Sequence, residues 1–471
     1  MSAIVQRRRN RISCIKNDAR KWIHNEREIV EFIRRGFDRL FMSSLDSVPL
    51  TPPQPSQWQS ALSKEEKNTL CLPISDAEIK DGLWAMKLWK SPGLDGLHAR
   101  FFQRFWSVVG ELVKKVVKLA FEERKIPSYL NKTNITLIPK ISSLETLGNY
   151  HPISLCNTMY EIVTKIIVCR LRPFLDKLIS PFQSAFVPRR KRLDNAIVVQ
   201  ELIHTISSKK GRVGYMAIKV DLKKAYDKLE WSFIREVLVN SNLPNQLVAL
   251  IIRCVSSVSI SILFNGGSAD PILPTKGIRQ GDPLSPYLFI LCMEFLGHLI
   301  EEKCSEKSWI PVKSSKSGLT ISHLFFVDDL VLFAEADHIN CSTIRDVLDE
   351  FCIRSGQALS DSKSGVFFSP NVDINTRESL CDILGFKLMP NLGKYLGFPI
   401  KHQAIGNQDY NFVLDRIKQK LVGWKANLLS MAGRVMLIQA STSAVLAYTM
   451  QCVALPGKLL ENIDRANQNF L

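Results

Sequence analysis

Two adjacent acids, Asp328 and Asp329, interrupt two short apolar runs within the segment His323–Phe333. The β-prone residues on either side predict two strands joined by a tight hairpin, which would place both carboxylates at its turn. Adjacent carboxylates beside buried strands are costly unless a positive charge lies close to them, and a divalent cation is the simplest such charge. For this segment alone, an ordinary solvent-facing Asp-Asp turn is an equally good interpretation.

A third acid, Asp221, follows the strand-like run Tyr215–Val220. A carboxylate at a strand end beside the hairpin would complete a site for two metal ions about 3.5–4 Å apart, each flanking an in-line displacement at phosphorus. The chemistry indicated is therefore a displacement at phosphorus. Taken alone, Asp221 is explained at least as well as the N-cap of a helix that begins just after it.

The stretch Gly277–Gly281 contains Arg279 and Gln280 and leads into Asp282 and Pro283. Its two glycines would let the backbone approach a ligand closely, and Pro283 lies near the start of a long apolar helix, whose N-terminus favours anions. These features suit a loop that meets an anionic ligand. Taken alone, however, the stretch is explained better by a Gly-Asp-Pro turn that only caps the helix.

The elements that must position these residues are strands and long helices that alternate through the middle of the chain, which predicts an α+β fold and not a repeat array. Strands are expected at Thr133–Ile138, Tyr215–Val220, Ser259–Phe264, Leu319–Val327 and Leu330–Phe333. Helices are expected at Thr158–Leu178, Leu193–Ser207, Trp231–Val239, Leu284–Ile300 and Ser342–Ser355. After Gly397 the pattern is wholly helical, which indicates a separate helical lobe.

Two signals near the N-terminus divide the chain into regions. The Pro-rich stretch Pro49–Pro55 ends a basic helical pattern, and Ser75 precedes acids and apolar residues at the spacing of a helix start. The expected regions are a basic N-terminal extension over 1–74, a main body over 75–400 with its central motifs at about 130–400, and a helical lobe over 401–471.

Composition excludes several classes of protein. Among 471 residues, 62 Lys and Arg oppose 45 Asp and Glu, and the resulting net charge of +17 suits a surface that faces phosphate. The 11 cysteines form no C-x-x-C pair and no Cys/His cluster at zinc-ligand spacing, which indicates reduced thiols and no zinc. The N-terminus lacks an apolar stretch, and the run Pro286–Ile300 is too short to span a bilayer, so we expect a nuclear or cytoplasmic protein without a membrane anchor.

Short stretches distributed through the chain carry a family resemblance. They are Lys90–Gly96, Leu137–Lys140, Pro152–Asn157, Gln183–Pro188, Lys223–Asp227, Arg279–Pro286 and Gly393–Gly397. In this order they resemble the reverse transcriptases of plant LINE-type, non-long-terminal-repeat retrotransposons, and the resemblance runs along almost the whole chain. It implies a right-hand polymerase with α+β fingers and palm, an antiparallel palm sheet and a helical thumb, here C-terminally truncated.

The resemblance also implies the activity and its metal-binding residues. The activity would be RNA-directed DNA polymerisation, with an RNA template, a DNA primer and dNTPs as partners. Asp221 and Asp328 would be metal ligands and Asp329 the supporting acid for two Mg²⁺ ions, with Mn²⁺ as a substitute. Lys363 would protonate the leaving pyrophosphate as a general acid.

Further matched residues would bind the substrate. Tyr226 would lie under the incoming sugar, where it would clash with a 2′-hydroxyl and so favour deoxynucleotides. Gln280 and Arg279 would lie near the nucleotide and the template strand, and Lys140 would meet the triphosphate. The stretch Gly393–Gly397 resembles a primer-grip turn.

Several positions depart from the family pattern. Val327 replaces the usual alanine, and a β-branched residue suits a strand. His151 replaces an arginine, so a permanent cation becomes a mostly neutral imidazole. Arg189 replaces a glycine, which strains the turn if the glycine held a positive φ and otherwise adds phosphate attraction. Ser360 and Asp361 stand where the family has Asn and an apolar residue.

Two other functions stay open at this point. One is a catalytically inactive remnant that still binds RNA or DNA, which is favoured because the endonuclease and the Cys/His-rich segment of complete relatives are not found. The other is a splicing maturase of the group II intron kind. Gly356 and Trp424 also resemble family landmarks, but we expect structural roles for them, as a helix C-cap and as thumb core. The oligomeric state and the identity of the template are left open.

Overall fold

The computed structural model describes residues 11–43, 62–140, 145–314, 318–400, 410–421, 428–451 and 455–471. Its strands are β1 (Ile15–Lys16), β2 (Trp22–Ile23), β3 (Lys132–Pro139), β4 (Tyr150–Cys156), β5 (Tyr215–Asp221), β6 (Ser259–Phe264), β7 (Gly267–Ser268), β8 (Val312–Lys313), β9 (Thr320–Ile321), β10 (His323–Phe326), β11 (Asp329–Glu335), β12 (Gly365–Phe368), β13 (Lys387–Leu388), β14 (Lys394–Tyr395) and β15 (Phe398–Pro399).

Helices account for most of the remaining regular structure. They are α1 (Glu26–Phe41), α2 (Lys64–Cys71), α3 (Asp76–Trp84), α4 (Ala99–Arg104), α5 (Trp106–Glu122), α6 (Thr158–Leu171), α7 (Leu175–Leu178), α8 (Arg192–Ser207), α9 (Ala225–Lys228), α10 (Trp231–Asn240), α11 (Asn245–Ser256), α12 (Ser285–Ser305), α13 (His338–Ser355), α14 (Ile374–Leu384), α15 (Asn411–Leu421), α16 (Met431–Met450) and α17 (Gly457–Phe470). The mixture of helix and sheet agrees with the predicted α+β class.

The central sheet has five strands in the order β10-β11-β5-β12-β13. Strand β5 pairs antiparallel with β11 on one side and with β12 on the other. Successive side chains of a strand point to opposite faces, so β5 contributes to two cores. Ile218 and Val220 lie in the largest core with α10, α12 and α13, whereas Ala217 packs in another core with Val199 of α8. Helices on both faces thereby hold β5, the strand that carries Asp221, at the centre of the fold.

The second sheet has the order β4-β3-β6-β7, with β3 antiparallel to β4 and parallel to β6. Helix α1 covers this sheet, because Ile29, Ile33 and Phe37 recur every four residues, form one apolar stripe and share a core with Ile135 of β3. Helix α1, which lies within the predicted N-terminal extension, therefore completes the core of the second sheet.

Two helix ends predicted from the sequence are confirmed. The Ser75 hydroxyl accepts a hydrogen bond from the Glu78 backbone N–H at 3.2 Å, and the Glu78 carboxylate accepts one from the Ser75 N–H at 3.0 Å, which together form a capping box at the start of α3. Gly356 has a φ of 74° and ends α13, where its N–H donates to the Cys352 carbonyl at 3.0 Å.

The helices α15, α16 and α17 pack on one another through a small core of their own. Its fully buried members include Val413, Ile417, Leu459 and Ile463. These helices agree with the helical pattern expected after Gly397. Trp424, which was expected in this core, lies outside the described residues, as does Pro49–Pro55. Among the helices that the structure describes, none is long and apolar enough to cross a membrane.

Candidate active site

Three acids meet at one end of the central sheet. Strands β10 and β11 form a hairpin in which Phe326 pairs with Asp329, so Val327 and Asp328 make its two-residue turn. Asp329 also lies opposite Asp221, the last residue of β5. Residues opposite each other in an antiparallel sheet have Cα atoms about 4.5–5.5 Å apart. The predicted hairpin is therefore confirmed, and it brings the three carboxylates to one end of the sheet.

Asp221 is not a helix cap. It ends β5, and the next helix, α9, begins at Ala225 with Lys224 as its N-cap residue. The backbone of Asp221 is fixed by the segment that precedes β12, since its N–H donates to the Ser364 hydroxyl at 3.1 Å and its carbonyl accepts from the Ser360 N–H at 2.8 Å. Ser360, a departure from the family pattern, thus helps to position the acid through its backbone.

Three carboxylates lie close together at this end of the sheet. Burial raises the pKa of both Asp328 and Asp329 above the usual range, and repulsion from neighbouring carboxylates raises it further. Lys363 opposes this effect, because its Nζ lies 3.5 Å from Oδ1 of Asp221, but its side chain is 70% exposed. Lys219 and Arg192 lower the pKa of Asp329 in the same way, yet the pKa of both acids stays raised. These cations therefore offset only part of the repulsion among the three carboxylates, and the arrangement favours an additional cation.

The donor set suits a hard divalent cation. Mg²⁺ prefers oxygen ligands and usually takes one or two protein carboxylates, with water and phosphate oxygens completing its shell. Across the described part of the chain, no three His, Cys, Asp or Glu side chains are placed so that they could together hold a metal ion. An ion held by Asp221 and Asp328 would therefore take part of its shell from a bound phosphate group or from water.

The turn residue Val327 differs from the expectation. The predicted strand Leu319–Val327 is divided into β9 and β10, and β10 ends at Phe326. Val327 has a φ of 58°, in the left-handed region that β-branched residues rarely adopt. A positive φ at the first of two turn residues is typical of a type II′ turn, which favours glycine there. The expectation that valine suits this position is wrong, because the residue lies in the turn and is strained.

A cleft of about 900 Å³ runs past the acids and gathers most of the predicted site residues. The predicted residues that line it are Lys140, Asp221, Tyr226, Gln280, Asp328 and Lys363. Asp329 lines an adjoining pocket together with Lys394 and Gly397 of the predicted primer-grip turn. Residues from six of the seven stretches that carry the family resemblance line the cleft and this pocket.

Tyr226 and Gln280 are held in place by neighbouring side chains. The Tyr226 ring stacks on the buried ring of Phe289, with centroids 5.0 Å apart and planes 7° from parallel. Gln280 donates from Nε2 to Oδ1 of Asp227 at 3.3 Å. Burial raises the pKa of Asp227 to about 6. Both predicted substrate contacts are therefore fixed by their neighbours on the wall of the cleft.

Arg279 does not line the cleft, and its expected contact with substrate is replaced by a structural role. Its side chain is 5% exposed and lies over the Tyr160 ring. Its guanidinium donates to Asn131 Oδ1 at 2.6 Å, to Thr133 Oγ1 at 3.0 Å and to Asp282 Oδ2 at 3.2 Å. It also donates to the Tyr160 hydroxyl. All of these partners are buried, so the guanidinium ties the loop to the second sheet.

The two loop glycines are needed for contacts between backbones. Gly281 has a φ of 128°, and a Cβ there would lie 2.6 Å from the Ser154 carbonyl oxygen. Gly277 has a φ of 88°, and a Cβ there would lie 2.7 Å from the Asp227 carbonyl oxygen. The glycines therefore let the loop approach neighbouring segments of the chain, and the expected close approach to a ligand is not what requires them.

The basic residues predicted to attract phosphate differ in whether a phosphate can reach them. Lys140 lines the cleft beside His151, whose pKa is lowered by burial and by the charge of Lys140, so the imidazole is neutral at pH 7. Arg189 has a φ of 67°, so the strain expected from the loss of glycine is present. Arg190 donates to the Gln183 carbonyl at 2.7 Å and is structural. Only part of this basic run is therefore available to phosphate.

Three further residues at the cleft and its loop were not predicted from the sequence. Phe37 and Leu40 of α1 line the cleft. Lys90 donates from Nζ to the Gly281 carbonyl at 2.8 Å and to the Glu161 carboxylate at 2.5 Å. The helical spacing of Phe37 and Leu40 marked an apolar stripe, and Lys90 lies in a family stretch, but neither signal indicated these long-range contacts.

Comparison with known proteins identifies the class to which this site belongs. Residues 138–400 match the family described as reverse transcriptase (RNA-dependent DNA polymerase). Since this match covers more than half of the 471 residues, the chain belongs to the reverse transcriptase family.

The relatives narrow the class to non-long-terminal-repeat elements. The chain is 26% identical over 473 residues to the transposon TX1 uncharacterized 149 kDa protein of Xenopus laevis, covering 98% of this chain and 35% of that protein. It is 29% identical over 297 residues to the Pol polyprotein of the R2 element of Popillia japonica, covering 62% of this chain and 39% of that protein. The chain therefore spans little more than a third of these relatives.

A plant protein is also similar over a short stretch. The uncharacterized mitochondrial protein AtMg01250 of Arabidopsis thaliana is 44% identical over 68 residues, which is 14% of this chain and 55% of that protein. The predicted resemblance to non-long-terminal-repeat reverse transcriptases is confirmed. Its plant origin stays a prediction.

Proposed function

We propose that the chain catalyses RNA-directed DNA polymerisation, adding dNTPs to a DNA primer on an RNA template. The observation that carries the proposal is the pairing of Asp329 with Asp221 across two strands, with Asp328 at the adjacent turn. Phosphoryl transfer needs positioned groups and neutralised charge more than it needs covalent chemistry. Such groups are supplied by the three acids at the end of the central sheet and by the lysines that line the cleft.

The fold supports a right-hand arrangement. The central sheet would be the palm, because it carries the three acids at one end of its strands. The second sheet with α1 would belong to the fingers, because it contributes Lys140 to the opposite wall of the cleft. The helices α15, α16 and α17 would form the thumb, since they have a core of their own.

The roles of the side chains follow from their positions. Asp221 and Asp328 would hold two Mg²⁺ ions, with Asp329 supporting their orientation; when bound, the ions neutralise the charge that develops on the phosphate oxygens. Lys140 would attract the triphosphate from the cleft wall. Lys363 would donate a proton to the leaving pyrophosphate, and its 70% exposed side chain can reach into the cleft.

Primer extension tests the proposal directly. Purified protein would be incubated with an oligonucleotide-primed RNA template, dNTPs and Mg²⁺, and the products would be resolved by length. Extended primer is the expected result. Binding without extension would reject the proposal and leave the inactive remnant.

The second candidate function is that remnant, a protein that binds nucleic acid without copying it. The left-handed conformations of Val327 and Arg189 favour it, because both residues replace smaller ones at positions of positive φ. His151 adds to the argument, since a neutral imidazole stands where a cation is usual. The extension and binding assays together separate the two functions.

Replacing Tyr226 by alanine is expected to relax discrimination against ribonucleotides by about tenfold or more. The stacked ring would otherwise occupy the space of a 2′-hydroxyl, and alanine would vacate it. The measurement is the ratio of kcat/KM for a dNTP and its ribonucleotide. Tyr226→Phe is the control and should keep the selectivity, because a phenyl ring retains the stack on Phe289. Unchanged selectivity in the alanine variant would refute this role.

Replacing Lys363 by methionine is expected to lower kcat by about 10²-fold or more, with a smaller effect on the KM for dNTP. Methionine keeps much of the aliphatic length but has no proton to donate. Single-turnover extension would measure the chemical step. Lys223→Met is the matched control, because Lys223 is also exposed near the acids, where it lies 3.4 Å from Asp361. Equal losses in both variants would point to general electrostatics and not to a general acid.

A further inference from the structure

A second surface outside the cleft combines aromatic and basic groups. Trp89 is 68% exposed, although tryptophan is usually highly buried. The Arg100 guanidinium lies 4.4 Å from the centre of the Trp89 ring, and the His98 ring approaches edge-on at 6.0 Å. Together with Arg104 and the half-exposed Phe105, these side chains line an open pocket of about 550 Å³. We refer to these five residues as the Trp89 surface.

The backbone that carries Trp89 is anchored. Its neighbour Lys90 bonds the Glu161 carboxylate, which is almost fully buried, and also the Gly281 carbonyl. Nδ1 of His98 lies at hydrogen-bond distance, 2.8 Å, from the Lys90 carbonyl. A ring on an anchored backbone loses little conformational entropy when a ligand stacks on it.

The charges of this surface select the kind of ligand. Arg100 and Arg104 are both exposed, and no Asp or Glu is among the described residues that line this pocket. An aromatic face beside cations suits a base that stacks and a phosphate that is neutralised. Paired bases in a duplex offer their faces only to one another, so the ligand that fits is a single strand.

We propose that the Trp89 surface binds unpaired template nucleotides ahead of the primer end, an inference that rests on the proposed function. Gly281, the partner of Lys90, lines the cleft. Consecutive Cα atoms are ~3.8 Å apart, so the path through the Lys90 side chain places Trp89 at most about 15 Å from Gly281. Four or five stacked nucleotides, at about 3.4 Å each, span that distance.

The test compares two primer–templates whose unpaired 5′ template overhangs differ in length, about one nucleotide against about eight. Fluorescence anisotropy without dNTPs measures their affinities. Wild type should bind the long overhang more tightly, and Trp89→Ala should lose about tenfold in affinity for the long overhang alone. Trp89→Phe should retain most of the affinity. Trp22→Ala is the matched control, because Trp22 is 44% exposed and also lies beside a lysine.

Crosslinking locates the contact. A template with 5-bromouridine in the overhang should photocrosslink to the peptide that contains Trp89, and the crosslink should be lost in Trp89→Ala. The proposal would be overturned if Trp89→Ala bound the long overhang as tightly as wild type does. It would also be overturned if crosslinks were confined to cleft residues. A change in the sedimentation coefficient of the protein without nucleic acid on Trp89→Ala would also overturn it, since this would identify an interface between copies. If wild type shows the overhang effect but extends no primer, the proposed function fails and the binding surface stands.

Discussion

Replacing Asp328 by alanine is expected to lower the rate of primer extension by about 10³-fold or more while template affinity stays equal or rises. The carboxylate lies at the turn beside the paired Asp221 and Asp329, where the proposed function places a metal ligand. Its removal takes away one of the two proposed ligands. It also removes a negative charge from the path of the phosphate backbone, which is why binding should not weaken.

Stability separates this loss of activity from unfolding. Burial and the neighbouring Asp221 raise the pKa of Asp328, so its charged form is disfavoured in the folded protein. Above that raised pKa the repulsion lowers the stability of the wild type, so the alanine variant should unfold at an equal or higher urea concentration at pH 8. Asp361→Ala removes the same charge from an exposed position 3.4 Å from Lys223, and it should keep most of the activity. Normal extension by Asp328→Ala would show that the metal assignment is wrong.

Local signals explain what the sequence predicted well. Two short apolar runs, two acids and a short turn are all contained in His323–Phe333, and the hairpin forms as expected. The capping box at Ser75 is equally local, since both partners lie within four residues. That Asp221 lies close to Asp329 was predicted by the family resemblance, because spacing alone left Asp221 as a possible helix cap.

Features that depend on long-range contacts were not predictable in the same way. The pattern of α1 predicted a helix, yet its docking on the second sheet depends on a core shared with residues about a hundred positions away. The φ of Val327 depends on the hairpin register, which places the residue one position beyond the strand. Sequence patterns give the type of an element more directly than its partners.

Arg279 illustrates the same limit, because an arginine in a phosphate-facing loop and an arginine in a buried network are identical in sequence. Replacing it by alanine is expected to lower the free energy of unfolding by about 3–5 kcal/mol. The change leaves the buried Asp282 carboxylate without its guanidinium partner, and the Asn131 and Thr133 side-chain oxygens lose their hydrogen-bond donor. Urea-induced unfolding followed by circular dichroism measures the loss.

A matched variant and a kinetic measurement decide between the two roles of Arg279. Arg253→Ala removes an exposed arginine near the end of α11 and should change the free energy of unfolding by no more than about 0.5 kcal/mol. A structural Arg279 predicts that the folded fraction of Arg279→Ala, assayed at low temperature, keeps a KM for dNTP close to that of wild type. An unchanged stability with a KM raised by about tenfold or more would restore Arg279 as a substrate contact. The buried network predicts the opposite pattern, because a guanidinium that already donates to the Asn131 and Asp282 side chains has little capacity left for a nucleotide.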